Sequence, residues 1–257
     1  GRARGIGSLG GAVSEPLRVG VLASGSGSNL QALLDRFNLG DDPSARVVLV
    51  VGSRPGIRAL DRAREAKVRA EVLPATAENP EEDPESDEAF LLRRVGETGV
   101  RLVVLAGYLR LIPASVVRAF WGRMINIHPA LLPSFGGHGM YGRRVHEAVI
   151  DRGCKVSGVT IHFVSEEYDR GPIVAQWPVP VMEGDDSDAL AARVLRVEHR
   201  LLPAVVSGIA RGRLSLSAAG RAEWVPPLYG AETFRAGPDD GVTALESVRS
   251  VSSGRAE

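Results

Sequence analysis

One thiol, Cys154, stands in 257 residues. A lone cysteine excludes an internal disulfide framework and a thiolate metal cluster, and it suits a reducing cytosol. A surplus of either charge is also missing: 31 Lys plus Arg balance 31 Asp plus Glu. A chain built to hold polyanionic nucleic acid normally carries a basic excess, so no nucleic-acid partner is expected. No apolar run reaches the length of a membrane span, and no apolar signal region opens the chain. The expected location is therefore cytoplasmic, with no membrane partner. The first residue is Gly rather than Met, so the native start is expected to have been trimmed. The five histidines, at 128, 138, 146, 162 and 199, include no pair at the helical spacing of a zincin site. No metal is expected.

What is present is ordinary globular material, 44% hydrophobic and 24% charged, enough for one large α/β domain or two small ones. Residues 1–16 are rich in Gly, Arg and Ser and read as a disordered tail. Leu17 to Ala23 has a strand pattern and runs into Ser24-Gly25-Ser26-Gly27-Ser28-Asn29. A helix follows, with apolar residues at 30, 33, 34 and 37. Further strands are expected at 46–52, 68–73, 100–107, 124–128, 156–165 and 173–180, with helices at 57–66, 88–99, 113–120, 143–152 and 188–209. Prolines 178 and 180 mark an edge strand, and Pro203 predicts a kink or break in the last helix. Residues 74–88 read as an acidic loop or lid, and the chain from about 218 as a loose or partly docked tail. Five alternations of strand and helix, then two adjacent strands and a helix, predict a doubly wound, mainly parallel Rossmann-like α/β sheet. It should carry helices on both faces and antiparallel additions near its C-terminal part. A catalytic domain over 17–214 with an extension over 215–257 is the expected organisation.

Three pieces carry chemistry. Met124-Ile125-Asn126-Ile127-His128-Pro129 delivers Asn126 and His128 to one side of a strand, because residues two apart share a face. Pro129 ends that strand, leaving an amide and an imidazole at its carboxyl end, where open α/β sheets bind ligands. An edge-strand Asn and a core-satisfied His would read the same way. The loop Ser24–Asn29 leads straight into a helix whose free N–H groups and dipole favour an anion. No Lys follows its glycines, and the third glycine of the dinucleotide fingerprint is absent, so a single phosphate fits better than a pyrophosphate. An ordinary glycine turn capped by Ser28 is the plain alternative. Asp169 lies in an acidic turn with Glu166 and Glu167, usually a solvated arrangement. One of these carboxylates could instead reach His128 and favour its imidazolium. His162 reads as a buried, hydrogen-bonded residue.

These pieces occur in one order: Ser24 to Gln31, Val104 to Ile112, Asn126-Ile127-His128-Pro129-Ala130-Leu131-Leu132-Pro133, His162-Phe163-Val164 and Asp169-Arg170-Gly171-Pro172. Together they resemble the phosphoribosylglycinamide formyltransferase family of folate-dependent enzymes, over roughly Leu17 to Leu214. The resemblance implies formyl transfer from 10-formyltetrahydrofolate, as cosubstrate, to the amine of 5-phosphoribosylglycinamide in purine synthesis. It implies that Gly27, Ser28 and Asn29 hold the ribose 5-phosphate and that Glu198 contacts the ribose. Leu109, Arg110, Leu111 and Ile112 would line the folate pocket through their backbone. Asn126 would hold the formyl oxygen, His128 would act as general acid, and Asp169 would keep His128 charged. The partners implied are these two small molecules, and the chain would be a monomer or homodimer. Leu195 stands where the family often has a polar or basic residue near the phosphate, which would then rest on the loop and Arg196. Asp87 stands where a folate-contacting Arg is common. A methionyl-tRNA formyltransferase would need an added basic domain, and a formyltetrahydrofolate hydrolase an N-terminal regulatory domain. A phosphate-ligand sensor is the non-enzymatic alternative.

Overall fold

The computed structural model describes residues 15–74, 86–217 and 219–229. The expectations for residues 1–14, most of the acidic loop and the tail beyond 229 fall outside these. In chain order the elements are β1 (Leu17–Ala23), α1 (Ser28–Phe37), β2 (Ala45–Gly52), α2 (Arg58–Glu65), β3 (Arg69–Val72), α3 (Asp87–Glu97), β4 (Leu102–Leu105) and α4 (Ala114–Ala119). There follow β5 (Met124–His128), α5 (Arg143–Asp151), β6 (Val156–Phe163), β7 (Ile173–Pro180), α6 (Ser187–Ala210), β8 (Leu214–Leu216) and β9 (Ala222–Trp224). The main sheet runs β3-β2-β1-β4-β5-β6-β7. Its first five strands are parallel, and β6 and β7 add antiparallel. The expected fold is thus the observed one. The proline-bearing β7 is the edge strand.

Strand alternation divides the core into two layers. In β4, Leu102 and Val104 pack with α1, α2, α5 and α6, whereas Val103 and Leu105 pack with α3 and α4. In β5, Ile125 and Ile127 face the first layer, so Asn126 and His128 face the second side. That is the period-two geometry of a strand acting on the sequence. The strand order reverses between β1 and β4, so the loops after these two strands flank the crevice where such sheets bind ligands. The loops are joined: Ser24 N–H donates to the Gly107 carbonyl at 3.1 Å, and Leu109 N–H donates to Ser24 Oγ at 3.0 Å.

One expectation changes, the break at Pro203. Helix α6 runs through Pro203 without interruption. A proline removes one helical N–H, but Leu201, Leu202, Val205 and Val206 are buried on both sides of it, and this packing holds the helix together. The chain after Arg213 is anchored through two short strands. Strands β8 and β9 pair antiparallel, so the boundary at 214/215 falls inside β8. Trp224 Nε1 donates to the Val174 carbonyl at 2.9 Å, and its ring fills the space where a Cβ on Gly208 would lie, 2.4 Å away. Strands of three residues carry too little pattern to be read locally. Their stability comes from docking on α6 and β7.

Candidate active site

A cavity of about 380 Å³ opens at the carboxyl ends of β4 and β5. That volume lies within the ~300–1,000 Å³ of small-molecule sites. Its walls include residues 107–112, Asn126, His128, the loop 137–142, His162 and Asp169. Strand β5 delivers Asn126 and His128 together, as their spacing requires, with His128 buried. Antiparallel β6 sets His162 directly opposite Asn126. His162 Nδ1 lies 2.9 Å from the Phe163 carbonyl, and its Nε2 lies 3.1 Å from Asn126 Nδ2. His162 is therefore part of the site as well as buried. Its signal was the period-two pairing of Thr160 and His162, readable only once β6 is known to lie against β5.

Asp169 is the hub. Its Oδ2 accepts from Gly137 N–H at 2.9 Å and lies 3.6 Å from His128 Nδ1. Its Oδ1 lies 3.4 Å from both His162 Nε2 and Asn126 Nδ2. Of the three carboxylates in the acidic turn, this one reaches the imidazole; Glu166 instead pairs with Arg118 on the surface. The turn has one shape open to it. Asp169 has φ +55°, a left-handed conformation that Asp tolerates better than most residues. Gly171 is obligatory, since a Cβ there would lie 1.7 Å from the Phe163 carbonyl oxygen. Phe135, also left-handed at φ +55°, aims its carbonyl at His128 Nε2 across 2.8 Å.

Both ring nitrogens of His128 thus face acceptors, which favours the imidazolium. Burial outweighs them and pulls the His128 pKa below its ordinary value; Asp169 and the Phe135 carbonyl push the other way and His162 adds to the fall. Asp169 pushes His128 toward its charged form, and desolvation is the larger effect. Burial alone would raise Asp169, but the His162 hydrogen bond, the His128 charge and the Gly137 N–H together bring its pKa below the usual value.

The N-terminal loop forms a second cluster. Gly27 has φ +71° and lies so close to α2 that a Cβ would meet Ala59 Cα at 2.7 Å. Helix α1 begins at Ser28 with no side-chain cap, which leaves its first N–H groups to an anion. Asn29 Nδ2 donates to Glu198 Oε2 at 2.7 Å, so the loop and α6 meet at this pair. Asn29 Oδ1 is buried with no partner. Burial pushes the Glu198 carboxyl up to about 7, against the Asn29 hydrogen bond. Arg62 of α2 is set on the loop, its Nε donating to the Ser26 carbonyl at 2.8 Å.

In the folate segment, Leu109 and Leu111 are exposed at the cavity and Ile112 is buried in the α3/α4 layer. Leu109 N–H is already taken by Ser24. Arg110 forms an ion pair with Asp87 at 2.5 Å. Among the described residues no group of His, Cys, Asp and Glu could hold a metal ion, and no helix is long and apolar enough to cross a membrane.

A half-buried Asn, two buried His and an Asp around one cavity, beside an anion-ready helix end, can stabilise an oxyanion and move a proton. The formyl transferase family matches residues 17–206, most of the chain. The chain belongs to that family. It is 41% identical over 211 residues to the chloroplastic phosphoribosylglycinamide formyltransferase of Arabidopsis thaliana, a match covering 81% of this chain and 71% of that one. It is 38% identical over 212 residues to the trifunctional purine biosynthetic protein adenosine-3 of Bos taurus; the match spans 81% of this chain and 20% of that protein. The solved glycinamide ribonucleotide transformylase 1 of Symbiobacterium toebii superposes with a TM-score of 0.72 at 40% identity, covering 82% of this chain and 95% of the other.

Proposed function

We propose that this formyl transferase moves the formyl group of 10-formyltetrahydrofolate onto the amine of 5-phosphoribosylglycinamide, a step of purine synthesis. The observation that carries the reading is the convergence of Asn126, His128 and Asp169 on one cavity, with Ser24 tying the cavity's wall to the phosphate loop. The acceptor's phosphate rests on the backbone of Gly27, Ser28 and Asn29. Glu198 and the unpartnered Asn29 Oδ1 take its ribose hydroxyls. The folate ring lies against residues 109–112, with Ile112 as the apolar wall. The substrates are small molecules, the setting is cytoplasmic, and the enzyme works as a monomer or homodimer.

The amine nitrogen attacks the formyl carbon, forming a C–N bond and a tetrahedral oxyanion. Asn126 Nδ2–H and the Nδ1 edge of His128 are placed to stabilise that oxygen, and a lost donor of this kind costs about 10²–10³ in rate. His128 begins with a depressed pKa, and negative charge developing beside it raises that pKa. The imidazole therefore takes up the proton that the attacking amine nitrogen sheds as the intermediate forms, and delivers it to N10 as the C–N10 bond breaks. General acid help of this kind supplies about 10²–10⁴. Asp169 orients the ring and balances its charge.

The test is amine dependence. Tetrahydrofolate release should require added 5-phosphoribosylglycinamide. Equal release without it would make the enzyme a hydrolase; no release at all would favour a phosphate-ligand sensor.

A further inference from the structure

Adjacent strands set His128, Thr160 and Gln176 in one row. His128 of β5 lies opposite Thr160 of β6, and Thr160 lies opposite Gln176 of β7. Residues paired across strands share a face, so the row runs from the active-site imidazole to the edge of the sheet. Its outer member is held from both directions. The Gln176 N–H donates to Tyr229 Oη at 2.7 Å and the Gln176 carbonyl accepts from the same hydroxyl. Tyr229 thus occupies ladder groups that an edge strand leaves open. Gln176 Nε2 donates to the Leu132 carbonyl at 2.9 Å and to Thr160 Oγ1 at 3.0 Å. Thr160 Oγ1 also accepts from Leu132 N–H at 3.0 Å and donates to the Ala130 carbonyl at 2.7 Å. The hydroxyl's one hydrogen and two lone pairs are all used, and Thr160 is wholly buried.

Leu132 passes this restraint on. The chain turns back at Ser134, whose N–H donates to the Leu131 carbonyl at 3.1 Å. A Cβ on Gly136 would lie 2.4 Å from Leu132 Cδ2 and 3.1 Å from Asp169 Cβ. The backbone at 136 is therefore packed between the Leu132 side chain and the turn that carries Asp169. Its two neighbours make the contacts that order the site. The Phe135 carbonyl lies 2.8 Å from His128 Nε2, and Gly137 N–H donates to Asp169 Oδ2 at 2.9 Å. A carbonyl only accepts, so the Phe135 contact keeps a proton on Nε2 and leaves Nδ1 to exchange the other.

We infer that Gln176 is a positioning residue for the formyl transfer proposed above: held at the sheet edge by Tyr229, it fixes Leu132 and, through Leu132 and Gly136, the aim of the Phe135 carbonyl at His128. Gln176 does not line the cavity and acts only through these groups. The segment after β9 thereby supports the active-site histidine from the far edge of the sheet.

Kinetics of side-chain variants test it. Gln176→Met keeps the length of the side chain and removes its amide. Its kcat should fall about tenfold, as a small misplacement of a reacting group does. KM for either substrate should not change, because the Ser24–Asn29 loop and residues 109–112 are untouched. The pH profile gives a second reading. The Phe135 carbonyl favours the imidazolium, so slackening it should move the acid limb of kcat to lower pH by about half a unit. The other titratable groups around His128 are Asp169, His162 and His146, and Gln176 hydrogen-bonds none of them among the described residues. Tyr229→Phe should change kcat and the limb in the same directions to a smaller extent. In the double variant kcat should equal that of Gln176→Met alone, since the path is already cut. Losses that multiply would overturn the path from Tyr229 through Gln176. A folded Gln176→Met enzyme with the parent's kcat, or with its acid limb unmoved, overturns the positioning role and leaves the reaction standing. If that variant does not fold, Tyr229→Phe decides by the same two readings. An unsubstituted enzyme that releases no tetrahydrofolate with both substrates present overturns the reaction, and the positioning role with it.

Discussion

Asn29 Nδ2 donates to Glu198 Oε2 across 2.7 Å, joining the first turn of α1 to the middle of α6 through a carboxyl group that is almost wholly enclosed. Burial holds that carboxyl near pKa 7, so the contact is made by a group that changes charge around neutrality. Asp42 behaves in the opposite way: it is lowered to about 2 by its Ser44, Arg36 and Ser207 partners despite burial.

Stability should depend on pH through Glu198 and His146 with opposite signs. The Glu198 pKa is raised from 4.5 to about 7, so its stabilising effect is whole below 4.5 and is lost as pH rises through 7. Burial, then the charge of His128, lowers His146 from 6.5 to about 4, so its stabilising effect is whole above 6.5 and is lost as pH falls through 4. Between 4.5 and 6.5 the two slopes cancel. Glu198→Gln should therefore gain on the parent as pH rises from 4.5 to 7, and His146→Gln should gain on it as pH falls from 6.5 to 4. Each gain is on the order of a few kcal/mol. Urea midpoints at pH 4, 5.5 and 8 measure both; differences from the parent that stay flat with pH would refute the assignment.

Removing the catalytic groups should separate rate from binding. His128→Ala and Asp169→Asn should each lower kcat by about 10²-fold or more. Binding of the phosphate-bearing acceptor, measured by calorimetry, should survive in both, because the Ser24–Asn29 loop is untouched. Full turnover in either variant would remove that residue from the mechanism.

Gly171→Ala should damage the site from outside it. Its Cβ would lie 1.7 Å from the Phe163 carbonyl oxygen, so the turn must move, and Asp169 moves with it. A loss of about 2 kcal/mol or more in stability is expected from the backbone shift. At a temperature where the variant is fully folded, kcat should still fall; an unchanged kcat would mean the turn is not what places Asp169.

Tyr229 fastens the C-terminal strands to the wall behind the active site. Its hydroxyl donates to the Gln176 carbonyl at 2.5 Å and accepts from Gln176 N–H at 2.7 Å. Gln176 Nε2 in turn donates to the Leu132 carbonyl at 2.9 Å and to Thr160 Oγ1 at 3.0 Å, in the segment that follows His128. Tyr229→Phe should cost about 1–3 kcal/mol by leaving the Gln176 backbone unpaired, a drop of several degrees in Tm. A melting temperature equal to that of the parent would show that this contact carries no stability.

Much of the site was legible because it obeys local rules. Period two puts Asn126 and His128 on one face, and Pro129 ends their strand. A glycine loop opening onto a helix makes an anion site wherever it occurs. His162, the Phe135 carbonyl, Gly137 N–H and Arg62 were not legible. Each reaches its place by a pairing between distant segments, and no local pattern records which strand β6 will join or where α2 will rest. Helix α6 taught the same lesson in reverse. Pro203 is a true local breaker, and packing along the sheet overrides it.

By itself the sequence determined the order of elements, the parallel sheet, the face that carries Asn126 and His128, and the family to which the chain belongs. Hydrophobic alternation, turn residues and short motifs encode these within a few residues. Only the tertiary structure decided the charge states. Burial pulls His128 down and pushes Glu198 up, and Asp87 pairs with Arg110. A pKa or an ion pair depends on what surrounds a group in space, and those neighbours come from strands and helices far away along the chain.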